Sequence, residues 1–226
     1  MATATKPKAK TSASYQTKLL IDGKFRDGVE GKTFATVNPA TEEVIANVAE
    51  GTAADVDLAV KAARKAFDSG PWAKMDARDR GRLLYRLADL IEANVDRLLE
   101  AEVACTGKPA ALTKELEILR GADQLRFFAG ACRVVSGTAQ TEYVEGFSST
   151  IRREPLGVVA QITPWNYPFM MAIWKIGPAL AAGNTLVLKP ADNTPWSTVI
   201  LAELAQQVYP AGVVNVVCGG REAGAA

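Results

Sequence analysis

The sequence predicts an α/β fold built on a Rossmann-type parallel sheet, and two observations carry the prediction. Short apolar runs are linked by longer helical patterns in a βαβαβ series, and such crossovers make the strands parallel. The runs also end in glycine or polar residues, at the strand ends where α/β sheets bind ligands. Three parallel strands would form an incomplete sheet. The five predicted elements are 156–162, 169–182, 184–189, 195–208 and 213–217.

Length and composition are those of a globular protein of one or two domains. The 226 residues carry a net charge of +1, which favours neither nucleic acid nor an anionic membrane as a partner. No apolar run approaches the roughly 20 residues of a membrane span. Three cysteines and no histidine indicate no disulfide framework and no metal site, and they exclude a Ser–His or Cys–His pair. We therefore expect a cytoplasmic protein without nucleic-acid, membrane or metal partners.

The amino-terminal part combines short strands with helices. Residues 1–17 contain no arginine and no apolar periodicity, which favours a disordered tail over a transit peptide. Residues 19–25 form a hairpin around Asp22-Gly23, and 33–37 and 44–48 are further strands. A helix begins at the capping box of Thr52 and Asp55 and ends at the turn 70–71.

Two longer helices are predicted next. Apolar residues recur at helical spacing from Leu83 to Leu98, which predicts one helix that ends near Gly107. Another is expected over 112–135. Cys105 and Cys132 fall within these helices without an activating partner, so we interpret both as buried structural thiols.

A polar hairpin separates the helices from the βαβαβ series. Residues 138–155 alternate polar and β-prone side chains around Gly146, a pattern poorly suited to a core. Such a ribbon either projects or pairs with the edge of a partner chain. The predicted organisation is therefore a tail (1–17), strands and helices (18–137), the hairpin (138–155) and the βαβαβ unit (156–226).

The strongest chemical signal is the abrupt end of the first parallel strand at Pro164. It delivers Trp165 and Asn166 to the carboxyl end of the strand, where an amide can donate a hydrogen bond to a developing oxyanion. Tyr167 and Trp174 are seven residues apart and share a helix face, so they can form an aromatic wall for a cationic or aromatic substrate. Aromatic residues at helical spacing are equally typical of a core.

Two further segments have the chemistry of a nucleotide site. Lys189 closes the second parallel strand, three residues before Asp192, and the pair can bind ribose hydroxyls. The carboxylate would repel a 2′-phosphate and favour NAD over NADP; an ordinary ion pair that caps the next helix is the alternative. After the third strand, Gly219 and Gly220 permit a ligand to approach the backbone, or they simply make a tight turn. No GxGxxG occurs in the sequence, and Cys218 has no neighbouring base.

Several motifs in a fixed order resemble the aldehyde dehydrogenase superfamily, over residues 19–226. They are NPAT (38–41), TGKP (106–109), EPLG (154–157), PWNYP (164–168), GPALAAGN (177–184), LKP (188–190) and PAGVVN (210–215). Three segments resemble γ-aminobutyraldehyde dehydrogenases most closely, with betaine-aldehyde dehydrogenases near by. These are RFFAGA (126–131), IRREP (151–155) and YPAGVVN (209–215).

The resemblance implies an aldehyde-dehydrogenase-like fold and NAD(P)-dependent oxidation of an aldehyde to a carboxylate. In that family a cysteine thiolate attacks the aldehyde, hydride passes to nicotinamide, and a glutamate activates water. Asn166 matches the residue that binds the oxyanion. For an amino-aldehyde such as 4-aminobutanal, Glu117 is a candidate counter-charge. The resemblance places the cofactor at Ile162, Thr163, Pro164, Trp165, Lys189, Asp192, Gly220 and Gly224, and the substrate tunnel at Tyr167, Met170 and Trp174.

The chain departs from the family in length. Family members are about twice as long, and their nucleophilic cysteine and general-base glutamate match nothing before residue 226. We therefore expect an amino-terminal half that lacks the catalytic domain, is inactive alone and needs a complementary carboxyl-terminal half. The hairpin matches the ribbon through which full-length members form homo-oligomers. The alternatives are a non-enzymatic NAD-binding or regulatory module, or a scaffold protein that reuses the fold.

Overall fold

The computed structural model describes residues 16–226, with the side chains of 138–141 and 143 left undescribed. Most of the predicted tail, residues 1–15, lies outside the described residues. The centre of the described fold is a five-stranded sheet. Its strands are β1 (Leu19–Ile21), β2 (Lys24–Arg26), β7 (Val158–Ile162), β8 (Thr185–Lys189) and β9 (Val214–Val216). Their order in the sheet is β2-β1-β9-β8-β7. Helix α1 (Ala53–Ser69) packs against one face of the sheet, and the two crossovers, α6 (Pro168–Ala181) and α7 (Trp196–Gln206), pack against the other.

The predicted α/β fold with parallel strands is present, but the sheet is mixed. Strands β7, β8 and β9 are parallel, whereas β1 pairs with β9 in the antiparallel direction, with Leu20 opposite Val216. All three residues of β1 are buried, and this explains why the hairpin joins the sheet. The three apolar residues of β1 have to be covered on both faces of the strand. Hairpin patterns in a sequence do not indicate which strand will be the neighbour.

Seven α-helices of the described residues carry most of the remaining core, and the four-residue α4 (Ala110–Thr113) is an eighth. The first predicted helix is confirmed, because the Asp55 carboxylate accepts a hydrogen bond from the Thr52 backbone N–H at 3.0 Å. The same carboxylate accepts the Val29 N–H. The seven helices are α1 (Ala53–Ser69), α2 (Ala77–Ala93), α3 (Val95–Thr106), α5 (Arg120–Ala131), α6 (Pro168–Ala181), α7 (Trp196–Gln206) and the short α8 (Arg221–Ala225).

The prediction of one continuous helix from Leu83 to Gly107 is wrong. Asn94 separates α2 from α3 with φ −117° and ψ 22°, and its side-chain amide donates to the Leu90 carbonyl at 2.8 Å. An asparagine that bonds the backbone in this way competes with the helix, whereas the apolar stripe runs on unbroken.

The predicted helix 112–135 is also wrong at both ends. The segment begins with α4 (Ala110–Thr113), continues as a π-helical turn (Lys114–Leu119) and ends with α5 at Ala131. The wide π turn buries two consecutive residues, Glu117 and Ile118. A period of 3.6 residues predicts an α-helix and does not indicate where a π turn inserts an extra residue.

Two smaller sheets lie apart from the main one. The strands β3 (Thr33–Val37) and β4 (Val44–Ala49) pair with each other, and so do β5 (Thr138–Val144) and β6 (Phe147–Ile151). The predicted polar hairpin is therefore present, with Gly146 at positive φ in its turn. Within residues 16–226, no helix combines the length and apolar character needed to cross a bilayer.

Candidate functional site

The connection from β7 to α6 forms a turn at the carboxyl end of the parallel strands. The Thr163 N–H still donates to the Lys189 carbonyl at 3.1 Å, which extends the ladder by one residue. Pro164 has no N–H and stops it. Residues 165–167 bend, and α6 begins at Pro168. Asn166 is exposed in this bend, as its predicted role as a donor requires.

Neighbouring side chains fix the turn to the sheet. The Gln161 amide donates to the Lys175 carbonyl at 2.9 Å and ties β7 to α6. Thr163 is buried, and its hydroxyl has no hydrogen-bond partner among the described residues. Ile162 and Trp165 are exposed on either side. The four residues predicted to line the cofactor cleft, 162–165, thus run from the end of β7 into the bend before α6.

Five of the predicted cofactor residues surround a single shallow cavity of about 350 Å³. The ends of two parallel strands, the turn before α8 and α8 itself build it. Its volume suits one part of a dinucleotide rather than a whole one. The lining consists of Ile162, Lys189, Asp192, Gly220, Arg221, Gly224 and Ala225.

The glycines beside this cavity have different roles. A Cβ on Gly219 would lie 2.6 Å from the Gly51 carbonyl oxygen, so Gly219 is needed for a tight turn. A Cβ on Gly220 would meet no described atom within 4 Å, which leaves its backbone open. A Cβ on Gly224 would lie 3.2 Å from Cε of Lys189, so this glycine makes room for the lysine stem. The tight-turn interpretation is therefore confirmed for Gly219, and the approach of a ligand at Gly220 stays a prediction.

The alternative interpretation of Lys189 and Asp192 as an ion pair is wrong for the described residues. The Lys189 ammonium donates to the Pro190 carbonyl at 2.9 Å, and Asp192 accepts the Asn193 N–H. No ion pair joins the two side chains in the part of the chain that the structure describes. Both charges face the cavity and are available to a ligand.

The aromatic residues of the predicted substrate tunnel are on the surface. Tyr167 is 46% exposed and Trp174 is 48% exposed, so a core role for these two is wrong. Met170, by contrast, is buried and packs as a core residue. Both rings are therefore open to solvent, and their role in facing an aldehyde stays a prediction.

Glu117 is buried, and its partner is a residue of this chain. The Lys108 ammonium contacts both carboxylate oxygens, at 2.7 and 2.8 Å. Lys108, Glu102 and Arg221 were not among the predicted site residues. A signal for Glu102 is present in the sequence, since it occupies a position between Leu98 and Cys105 on the apolar face of α3. Lys108 was interpreted only as part of a helix end.

None of the three thiols is ionised near neutral pH. Burial raises the pKa of Cys105 to about 12 and that of Cys218 to about 12. Burial also raises the pKa of Cys132. All three cysteines are free and buried. The described residues therefore hold a hydrogen-bond donor and a candidate nucleotide cavity, but no thiolate nucleophile.

Comparison with known proteins agrees with this geometry. The model of the aldehyde dehydrogenase family matches residues 25–226. Aldehyde dehydrogenase 1A1 of Rattus norvegicus is 50% identical over 215 residues, which are 93% of this chain and 43% of the relative. The NAD+ complex of a Bacillus cereus aldehyde dehydrogenase superposes with a TM-score of 0.91 at 44% identity, covering 98% of this chain and 45% of that one.

A third solved structure is also similar to this chain. The gamma-glutamyl-gamma-aminobutyraldehyde dehydrogenase of Burkholderia cenocepacia J2315 is 42% identical with a TM-score of 0.90, covering 93% of this chain and 43% of that one. The chain thus spans less than half the length of the relatives it matches. Its sequence, its fold and the family model agree: this chain belongs to the aldehyde dehydrogenase family.

Proposed function

We propose that this chain serves the NAD-dependent oxidation of an aldehyde to its carboxylate, by holding part of the cofactor and offering Asn166 to the oxyanion. The observation that carries the proposal is the cavity that joins Lys189, Asp192, Gly220 and Gly224 at the carboxyl ends of parallel strands. Dinucleotides bind at this place in α/β sheets. The Asn166 amide lies exposed at the same edge.

The residues around the cavity fit the adenosine part of NAD. The Lys189 ammonium and the Asp192 carboxylate can bind ribose hydroxyls, and the open backbone at Gly220 allows close approach. When bound, NAD supplies the hydride acceptor. The protein's own contribution is to orient the cofactor and to stabilise the charge that develops on the carbonyl oxygen.

NAD is the proposed cofactor, and NADP is a second candidate. Asp192 lines the cavity and would repel a 2′-phosphate. Arg221 lines the same cavity and could bind one. The two side chains have opposite effects on a 2′-phosphate. The ratio of the NAD and NADP affinities therefore shows whether Asp192 or Arg221 faces the ribose.

An amino-aldehyde such as 4-aminobutanal is the proposed substrate class. Support comes from the exposed rings of Tyr167 and Trp174, which can face an ammonium group. The 42% identical relative from Burkholderia cenocepacia is named for a substituted aminobutyraldehyde. Glu117 binds Lys108 through both oxygens, so its role as counter-charge would require that ion pair to open.

We also propose that residues 1–226 alone do not turn over an aldehyde and act together with a complementary carboxyl-terminal half. The support is the state of the three buried thiols, whose raised pKa values leave no thiolate. The β5–β6 hairpin, paired only with itself among the described strands, is the proposed oligomerisation ribbon. Free thiols agree with a reducing cytoplasm as the proposed location.

Formation of NADH tests the proposal. Purified residues 1–226 are assayed with NAD and either 4-aminobutanal or butanal, alone and mixed with the complementary part of the Bacillus cereus relative. We expect no NADH from this chain alone, and turnover in the mixture that Asn166→Ala reduces by about a hundredfold, since one oxyanion donor contributes that much. Turnover by this chain alone would contradict the proposal. NAD binding without turnover in the mixture would favour the non-enzymatic module.

A further inference from the structure

A buried ion pair lies behind the turn that carries Asn166. Lys108, in the connection between α3 and α4, places its ammonium 2.7 and 2.8 Å from the two carboxylate oxygens of Glu117. The Glu117 side chain is 4% exposed and that of Lys108 22% exposed. The pair is therefore largely desolvated, and removal of one partner leaves a charge without compensation.

A second carboxylate joins this pair to helix α6. Glu102 on α3 is fully buried, and one of its oxygens lies 4.0 Å from the Lys108 ammonium. The same oxygen accepts the Phe169 backbone N–H at 3.3 Å. That N–H belongs to the first turn of α6, where the helix itself provides no acceptor. Glu102 thus fixes the start of the helix directly after the Asn166 turn.

The third contact is made to Tyr167. The Lys108 ammonium lies 4.0 Å from the centre of the Tyr167 ring, which is a cation–π geometry. The chain's own ammonium therefore already lies against this ring.

We propose that Lys108 is a positioning residue that, with Glu102 and Glu117, holds the Asn166–Tyr167 turn in one orientation. One ammonium contacts the ring after Asn166, and one carboxylate contacts the N–H two residues beyond that ring. Both contacts fall within the three residues that follow Asn166, the residue that would bind the oxyanion. The importance of this device for catalysis rests on the proposed function, whereas its geometry does not.

Amide hydrogen exchange of residues 1–226 tests this without cofactor or aldehyde. In Lys108→Met we expect the Phe169 amide to exchange about tenfold faster, while reference amides in the last turn of α7, which exchange by local fraying rather than by global unfolding, keep their rates. Lys108→Arg should restore much of the protection, because arginine keeps the charge and stacks on a ring. Lys61→Met, at an exposed lysine of α1, is the control and should change neither set.

A milder pair of variants covers the case in which Lys108→Met does not fold. Tyr167 is half-exposed, so Tyr167→Leu removes the ring face with little loss of packing, and Tyr167→Phe keeps that face. We expect faster exchange at Phe169 in Tyr167→Leu only. Equal acceleration of the α7 reference amides, or no change at Phe169, would overturn the proposal. If the exchange results hold but no mixture forms NADH, the proposed function alone fails.

Discussion

The ammonium of Lys108 lies 4.0 Å from the centre of the Tyr167 ring. One side of that ring therefore already contacts a cation that belongs to the protein, and Glu117 neutralises this cation. Tyr167 is nevertheless half-exposed and directly follows the exposed Asn166. A substrate that approaches the turn would meet the Tyr167 ring. The electrostatic potential at this ring is largely set by Lys108 and Glu117, which lie behind it.

The buried pair should contribute measurably to stability. We expect Lys108→Met to lower the free energy of unfolding by about 3 kcal/mol, because it leaves Glu117 buried without its partner. Lys61→Met is the matched control, since the Lys61–Asp57 pair is exposed on α1 and such pairs contribute roughly 0.5 kcal/mol. Urea unfolding followed by circular dichroism gives both values. Equal losses in the two variants would contradict a buried-pair contribution.

Stability should depend on pH through Glu102. Burial, reinforced by the nearby Glu117 charge, raises the pKa of Glu102 from 4.5 to about 7, and Ser197 and Lys108 act in the opposite direction. At a pH between 4.5 and 7, Glu102 takes up a proton when the chain folds. The stabilising contribution of Glu102 is therefore fully present below pH 4.5 and is lost as the pH rises through 7. The stability of the wild type relative to Glu102→Gln should fall by at most about 3 kcal/mol over this window.

Unfolding curves of the two proteins at several pH values measure this difference. In the difference between the two proteins, the pH dependence that other carboxylates contribute in the same range cancels. The groups that surround Glu102 are Lys108, Glu117, the neutral Cys105 thiol and the Ser197 hydroxyl. Parallel stability curves for wild type and Glu102→Gln would show that the pKa of Glu102 is not raised.

Two glycines of α5 should respond differently to the same substitution. A Cβ on Gly121 would lie 2.7 Å from the buried Phe169 ring, whereas a Cβ on Gly130 would meet no described atom within 4 Å. Alanine favours a helix by about 1 kcal/mol at both sites. Gly121→Ala should therefore be less stable than Gly130→Ala by about 1–3 kcal/mol, the usual cost of overpacking. Thermal unfolding of both variants measures it, and equal stabilities would contradict the close contact at Phe169.

The sequence was sufficient to predict the parallel strands and the site at their carboxyl ends. Apolar runs of strand length, Pro164 and the position of Lys189 are all local signals, and the structure places them at one edge of the sheet. The antiparallel pairing of β1 with β9 could not be predicted, because Leu20 and Val216 are far apart in the chain. The break at Asn94 and the π turn at Glu117 depend on backbone geometry that apolar periodicity does not encode.

The cluster of Glu102, Lys108 and Glu117 behind the Asn166 turn could not be predicted from the sequence either. Glu102 and Lys108 lie in segments that were interpreted as helix and helix end, and each is ordinary in its local context. Only the packing of α3 against α7 and the π turn brings their charges together with Tyr167. A carboxylate on an otherwise apolar helix face was the available sign.

The thiols should be inert in the folded protein. Burial raises the pKa of all three cysteines, to about 12 for Cys105 and Cys218, so almost no thiolate exists at neutral pH. We expect negligible reaction with Ellman's reagent at pH 7.5 over minutes, and reaction of all three thiols after unfolding in guanidinium chloride. A thiol that reacts rapidly in the folded protein would contradict the absence of a nucleophile from the described residues.

Calorimetric titration of NAD into residues 1–226 tests the central claim most directly, because it asks whether the cavity at the strand ends is a cofactor site. We predict measurable binding that Lys189→Met weakens about tenfold, since the lysine donates a charged hydrogen bond to the ribose. Lys61→Met should leave the affinity unchanged. Absence of binding at millimolar NAD, or equal affinities of wild type and Lys189→Met, would contradict the account.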